Sequence, residues 1–477
     1  MTRDRLWLAI AVLLPALAAT IASMSTVDLA YQVRAGELML GSAAVLREDP
    51  FTFTAFGEPW PNQQWGAGIV FALVQGPAGW GGLMVLRAVL VAAAVGLVMA
   101  GAGRWLAPRY AALLALAGFV VGIASLGLRA QLFGIALFAA VLAILAWRDH
   151  RPRFVWLVPL LVLVWANLHG SFFLGPAAVA VALVDDLVAR RSGARRLVLV
   201  LAASIVASCV TPFGPAIWGY ALGIATNGEI TRLITEWQRT SPLSVTGALF
   251  YASVAGAVAL VWLARRRDGL LPSGPTLIWL AGLAVVGAYA ERGVAWWAFG
   301  APVALAQTVA ALLPTTGAPR EEPRALRRLN AMFVVVLGLA VVAVQPLWRG
   351  GDALSGPSGL LRDAPAGLAR ALAGLAGPSD RVVAPQPWAS WFEWAAPGVP
   401  VMVDSRVEVV PASAWTAYTT IAEGGDAALA TLDRIGASVV VVDPETQSAL
   451  GIALRTSGSS WRLAYEDDDG AVFTLQQ

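Results

Sequence analysis

Clusters of arginine alternate with apolar runs throughout this chain, and the alternation admits very few folds. Lysine is absent, so arginine carries all of the fixed positive charge. The clusters are Arg3/Arg5, Arg104/Arg109, Arg148/Arg151/Arg153, Arg190/Arg191/Arg195/Arg196, Arg265–Arg267 and Arg320/Arg324/Arg327/Arg328. Each stands one apolar hairpin beyond the last. Basic residues in short loops mark the cytoplasmic side of a membrane protein. The spacing therefore predicts a multi-pass helical protein with a cytoplasmic N-terminus, and it sends most other polar residues to the opposite face.

Composition agrees. Hydrophobic residues make up 58% of the chain and charged residues 13%, and the mean hydropathy is +0.69. Ordinary soluble domains are about 25% charged. A net charge of +3 and a pI near 9.3 reflect loop arginines rather than a nucleic-acid footprint, so no nucleic-acid partner is expected. The one cysteine, Cys209, lies in an apolar run and reads as a small buried hydrophobe. The N-terminus resembles a signal peptide but lacks a small-residue cleavage site, so it reads as an uncleaved first span. Arginine in place of every lysine, with heavy use of Ala, Gly and Val, suggests a GC-rich bacterial source and hence the inner (plasma) membrane.

A span needs about 20 apolar residues. About eleven segments qualify: 6–24, 80–103, 108–127, 130–147, 153–168, 170–188, 197–212, 244–264, 273–290, 293–313 and 329–347. Residues 64–78 are apolar but short and interrupted by Gly and Pro. If they crossed, every later arginine cluster would fall outside, so an interfacial or re-entrant helix is expected there. The outer face then receives residues 25–79, the turns near 128–130 and 168–170, loop 213–243, the turn at 291–292 and all that follows 348. Residues 349–477 change character. Strand-length runs such as Arg381–Pro385, Val399–Asp404 and Ala437–Asp443 alternate with helical patterns near 412–434, and a hairpin turns at Asp469-Gly470. The domains expected are 1–348, an all-helical membrane domain, and 349–477, a small extracytoplasmic α/β domain.

The outer polar residues each carry two readings. Asp28 ends the first span, where a carboxylate is either functional or a solvated helix terminus. Arg34 and Glu37 have the spacing of a helical ion pair. Arg129 and Gln131, in GLRAQLFG, occupy a tight turn where the arginine can snorkel to the surface or clamp a phosphate. Asn167 and His169 lie in WANLHGSF, and His169 is either a structural imidazole or a ligand. In loop 213–243, Glu229 and Arg232 suit a local pair, while Glu236-Trp237 offers carboxylate and aromatic surface to a sugar or headgroup. Arg292 opens a span beside tryptophans and can neutralise a lipid phosphate. Walker A, CxxC, HExxH and GxSxG motifs are all absent. No row of charges lies within the spans, which argues against an ion-coupled transporter.

Taken in order, these pieces resemble the GT-C superfamily of membrane glycosyltransferases, in particular the protein O-mannosyltransferase-like and aminoarabinose-transferase-like groups. The motifs are Asp28 with Arg34-Ala35-Gly36-Glu37, then Asp49-Pro50-Phe51-Thr52, Pro59-Trp60 with Asn62 and Trp65, and Arg129 with Gln131. Asn167 to Gly170, Pro212 to Gly214, Glu236-Trp237 and Met402 to Arg406 complete the series. Three positions depart from the pattern. Gln32 stands where the motif has a histidine, and Asn62-Gln63-Gln64-Trp65 replaces Asn-His-Glu-Trp, so one acid and two imidazoles are missing.

The resemblance implies a helical bundle with a long first outer loop and a soluble domain, and a polyprenyl-phosphate sugar as donor for an extracytoplasmic acceptor. It makes Asp28 the catalytic base toward the acceptor. It gives Arg129 and Arg292 the lipid phosphate, and Asn167, His169 and Glu236 the sugar or acceptor pocket. Arg34, Asp49, Gln64, Gln131, Asp404 and Arg406 follow as substrate contacts by motif position. No residue is assigned to a metal and no cofactor is required, although a divalent metal is left open. The alternative is a non-catalytic membrane protein that binds or translocates lipid-linked glycans, which the lost His and Glu positions favour.

Overall fold

The computed structural model describes residues 1–226, 228, 234–267, 269–313, 322–456 and 460–476. In chain order its helices are α1 (Arg3–Ile21), α2 (Leu29–Ser42), α3 (Trp65–Ala102), α4 (Pro108–Gly122), α5 (Ala130–Ala146), α6 (Leu157–Leu168), α7 (Leu174–Val188), α8 (Ala194–Ser208) and α9 (Ala216–Thr226). They continue as α10 (Val245–Arg266), α11 (Gly274–Tyr289), α12 (Val294–Leu312), α13 (Arg324–Ala343), α14 (Ala366–Leu375), α15 (Gln386–Ala395), α16 (Ala412–Glu423), α17 (Gly425–Ile435) and α18 (Ser448–Arg455). Seven helical stretches among the described residues are long and apolar enough to cross a membrane, and 130–146, 154–168 and 274–289 are shorter apolar helices. With α8, helix is present at all eleven expected positions. The protein is a multi-pass helical membrane protein.

Two compact units make up the chain. The first, Met1–Ala22 with Leu83–Trp348, is the helical bundle. Small residues let its helices approach closely, as membrane packing requires. A Cβ on Gly118 of α4 would lie 2.4 Å from the Ala298 carbonyl of α12. Arginine-bearing ends are tied together. The N-terminal ammonium donates to the Arg327 carbonyl at 2.7 Å, and the Arg3 amide to Glu322 at 2.9 Å. Arg148 holds Asp185 and Asp186 at 2.7 and 2.8 Å, and Arg191 bonds the same two carboxylates. Arg87, almost fully buried, donates to the carbonyls of Leu126 and Ala22 at 2.9 and 3.0 Å. Those carbonyls belong to helix ends, which leave acceptors without intrahelical partners.

The second unit joins Ser23–Gly82 to Arg349–Gln477. A cut at 348 alone would separate these segments, yet backbone pairing unites them. β1 (Met24–Ser25) runs parallel to β2 (Leu361–Arg362). A four-stranded sheet has the order β3 (Val382–Val383), β4 (Val439–Val442), β6 (Ala471–Leu475), β5 (Trp461–Glu466). All four valines of β4 are buried, as expected of a central strand covered on both faces. Val401 bridges to Val382 and also to Thr52, with the Phe53 amide donating to the Val401 carbonyl at 3.0 Å. Residues near Thr52 thus extend the sheet. The β5–β6 turn is closed by Asp467, whose carboxylate accepts from the Asp469 and Gly470 amides.

Helix α3 breaks at Gly79, whose φ of 59° and ψ of −162° are open to glycine at little cost. The expected short helix over 64–78 is therefore present and set off from 80–102. It crosses α2 at near backbone contact, since a Cβ on Gly36 would lie 2.1 Å from the Gly68 carbonyl. That crossing fixes where α2, and Asp28 before it, can lie.

At the centre of this unit is Arg406, only 2% exposed. Its Nη2 donates to Asp49 at 2.6 Å, its Nε donates to Asp404 at 2.7 Å, and its amide donates to the other Asp404 oxygen at 2.7 Å. The guanidinium lies 4.5 Å from the Trp60 ring centroid, 5.0 Å from Phe51 and 5.5 Å from Tyr31. Asp49 also accepts from the Phe51 and Thr52 amides, both at 3.1 Å. A third acid, Glu393 of α15, is buried beside them with neither carboxyl oxygen bonded among the described residues. Burial, reinforced by the charge of Asp404, pushes the Glu393 carboxyl well above the ordinary value of 4.5. A group raised in this way takes up a proton on folding. It favours the folded state below its unfolded pKa and loses that advantage as pH rises toward the folded value. Glu393→Gln, which keeps the neutral shape, is expected to raise the thermal midpoint more at pH 8 than at pH 5. Equal shifts at the two pH values would show that the carboxyl is not held protonated.

Candidate functional site

The residues marked out by sequence fall into two groups, one in each unit. In the second unit Asp28 precedes the first turn of α2, with φ −100° and ψ −17°, and its side chain makes no capping hydrogen bond. The carboxylate is half-buried. One turn on, Tyr31 is buried, and its hydroxyl is pushed up first by burial and then by the charge of Asp28. The phenol stays protonated. Gln32 donates to the Tyr31 oxygen at 3.3 Å and to Gln64 Oε1 at 2.6 Å. Two of the positions that depart from the resembled motifs therefore meet in space, as an amide–amide hydrogen bond. Arg34 pairs with Glu37 at 2.9 Å, and Glu37 accepts from the Trp394 indole at 3.1 Å.

Asp49, Asp404 and Arg406, expected as substrate contacts, are at most 2% exposed and bonded to one another. A soluble ligand reaches them only if the cluster opens. Their geometry is that of a clamp between the 49–52 turn and the 402–406 segment.

In the bundle, Arg129 precedes α5 in extended conformation and forms an ion pair with Glu236. Gln131 and Arg292 exchange two hydrogen bonds, Gln131 Nε2 to the Arg292 carbonyl at 3.1 Å and Arg292 Nε to Gln131 Oε1 at 2.9 Å. The Arg292 guanidinium lies 5.9 Å from the Trp237 ring. Main-chain bonds from Thr240 to Ala288 and from Glu291 to Gln238 fix this arrangement. So the loop carrying Glu236-Trp237 is pinned beside the Arg292 turn, and two cations stand with one carboxylate at the start of α5. Glu229 and Arg232 lie outside the described residues.

His169 ends α6. Its Nδ1 lies 2.7 Å from the Ser171 hydroxyl and accepts from the Ser171 amide at 3.2 Å, while the Trp165 indole donates to the same hydroxyl at 3.1 Å. An accepting Nδ1 places the ring proton on Nε2. Burial, aided by the positive charge of Arg292, lowers the His169 pKa to about 3, so the ring is a neutral donor at physiological pH. Gly134 makes room for the trio, because a Cβ there would lie 2.9 Å from Trp165 Nε1 and 3.0 Å from Ser171 Oγ. Asn167 instead bonds the carbonyls of Leu163 and Val210 at 2.9 Å each, tying the end of α6 to the end of α8.

Sequence reasoning missed Tyr31, Ser171, Glu393 and Arg87. The first three show only as ordinary residues within apolar or helical runs. Arg87 was legible as a charge within a span and was passed over because it belongs to no cluster. Among the described residues no group of three His, Cys, Asp or Glu side chains comes together. At Gln32 and Gln64 the available donors are neutral amides, which bind divalent metal ions weakly beside carboxylate or imidazole.

No protein-family model matches the chain, and no curated protein matches it. Solved structures do. An Archaeoglobus fulgidus oligosaccharyltransferase tethered to an acceptor peptide aligns with a TM-score of 0.62 at 12% identity, over 99% of this chain and 74% of that one. The Archaeoglobus AglB complex with an inhibitory peptide and a dolichol-phosphate gives 0.58 at 12% identity, over 100% and 75%. ArnT from Cupriavidus metallidurans, bound to undecaprenyl phosphate, gives 0.56 at 17% identity, over 98% and 97%. The chain therefore has a GT-C-like fold across nearly its whole length.

Proposed function

We propose that this protein is a membrane glycosyltransferase that moves a sugar from a polyprenyl-phosphate donor to an extracytoplasmic acceptor. The observation that carries the reading is the end-to-end fold match with ArnT, solved with undecaprenyl phosphate bound. Roles follow from the two groups. Arg129 and Arg292 bind the lipid phosphate and stabilise its charge as the glycosidic bond breaks. Gln131 orients Arg292 through their paired hydrogen bonds. His169, neutral and held by Ser171, offers an N–H donor to sugar or phosphate oxygens, and Glu236 balances Arg129. Asp28 accepts the proton of the acceptor hydroxyl or amine as it attacks the anomeric carbon. The Arg406 cluster holds the segments around α2 in place. By the positive-inside rule the arginine-bearing helix ends are cytoplasmic, in a bacterial inner membrane, and the Arg349–Gln477 segment is extracytoplasmic.

One observation favours a second reading. The Gln32–Gln64 amide pair stands where the resembled motifs carry His and Glu. A lipid-linked glycan binder that catalyses no transfer needs neither. Transfer of radiolabelled sugar from a polyprenyl-phosphate donor by the purified protein decides between the two.

Asp28→Asn is expected to lower turnover by more than about 100-fold with the thermal midpoint unchanged. Near-normal turnover removes Asp28 from the mechanism. Arg292→Gln is expected to raise KM for the donor by about 10-fold or more, as loss of a charge-assisted contact does. With its pKa near 3, His169 should give no inflection near pH 6.5 in the rate profile, and His169→Gln should leave the shape of that profile unchanged.

A further inference from the structure

At the arginine-bearing end of the bundle lies a cavity of about 630 Å3, reached by side chains of α1, α3, α4, α5 and the start of α6. Its volume is that of a small-molecule site. Leu8, Leu106, Ile144, Phe154 and Trp147 stand among its walls, and Arg151 is the one charged residue lining it. The Trp147 indole is fixed by donating to the Ala100 carbonyl at 2.9 Å. Two guanidinium groups gather on this ring. Arg104 lies 5.9 Å and Arg151 6.0 Å from its centroid, and Arg151 also lies 5.7 Å from Phe154.

Their charge is treated differently from that of their neighbours. Arg148 and Arg191 are neutralised by Asp185 and Asp186. Arg104 and Arg151 have no carboxylate partner among the described residues. Two uncompensated cations on an aromatic ring, beside an apolar cavity deep enough to hold acyl chain, match an amphiphile with an anionic head. We propose that this cavity is a binding site for one anionic glycerophospholipid, its phosphate between Arg104 and Arg151 and its chain in the cavity. The ring of Trp147 sits where an aromatic meets the headgroup level. Basic pockets between membrane helices on the cytoplasmic side select anionic lipids for this reason. The site is independent of any sugar transfer, so it stands or falls apart from the proposed activity.

Native mass spectrometry on the full-length protein tests it, with dioleoyl-phosphatidylglycerol set against dioleoyl-phosphatidylcholine. The expected result is one retained phosphatidylglycerol, bound about 10-fold or more tighter than phosphatidylcholine. The Arg104→Gln/Arg151→Gln double variant should lose that preference, whereas Arg195→Gln/Arg196→Gln, which removes equal charge from another cluster, should keep it. Equal binding of the two lipids by the native chain overturns the proposal, as does equal loss in both double variants, which would indicate diffuse surface charge only. Displacement of phosphatidylglycerol by equimolar undecaprenyl phosphate also overturns it, because the cavity would then belong to the donor lipid. Should the arginine variant not fold, Ala143→Phe decides. With both arginines intact it should abolish tight binding by filling the cavity, and undiminished binding would place the lipid elsewhere.

Discussion

The buried guanidinium of Arg406 is the constraint on which the second unit rests. Removing an arginine from water is costly, and its attraction to buried carboxylates offsets that cost only with good geometry and full hydrogen bonding. Here Asp404 binds it from two residues away, Asp49 from the Ser23–Gly82 segment, and Tyr31, Phe51 and Trp60 supply aromatic faces. Such a cluster adds little net stability over a well-packed apolar core, but breaking it by removing one partner costs about 3–5 kcal/mol. The cluster ties the 49–52 turn, α2 and the 402–406 segment to one guanidinium, whose Nη1 is buried without a hydrogen-bond partner among the described residues. Glu393 sharpens the point, since a third buried acid is tolerable only as the neutral carboxyl that its surroundings enforce.

That arrangement reaches the proposed chemistry through Tyr31. Its ring packs on Arg406, and Asp28 lies one helical turn before it. The Gly36–Gly68 crossing sets the other side of α2. A carboxylate meant to act as a base must keep a fixed bearing. The helix is anchored by Tyr31 and Gly36, while the Asp28 carboxylate serves no cap.

Elements of the bundle were legible in sequence because a bilayer demands long apolar runs and short basic loops, and both are local patterns. The separate short helix over 64–78 was legible too, from its Gly and Pro content, but the break itself falls at Gly79. What could not be read is long-range pairing. Met24 with Leu361 and Thr52 with Val401 are bonds between segments hundreds of residues apart, and no periodicity announces them. For this reason Asp49, Asp404 and Arg406 read as separate substrate contacts by motif position, whereas the fold buries them and bonds them to one another. In the bundle, the Arg129–Glu236 and Gln131–Arg292 pairs also join distant turns. The residues were recognisable as candidates by type and sidedness, but their partners were not. The resemblance supplied an ordered set of positions, and only the fold shows which of them touch.

Two of the three departures from the resembled motifs acquire a meaning from one contact. Gln32 and Gln64 face each other at 2.6 Å, so the changes at these sites are one coupled change. A histidine and a glutamate at this distance would form a titratable pair, able to carry a proton or bind a cation. Two glutamines conserve the hydrogen bond and remove both capacities. Gln32 also donates to the Tyr31 hydroxyl, which burial and the Asp28 charge keep protonated.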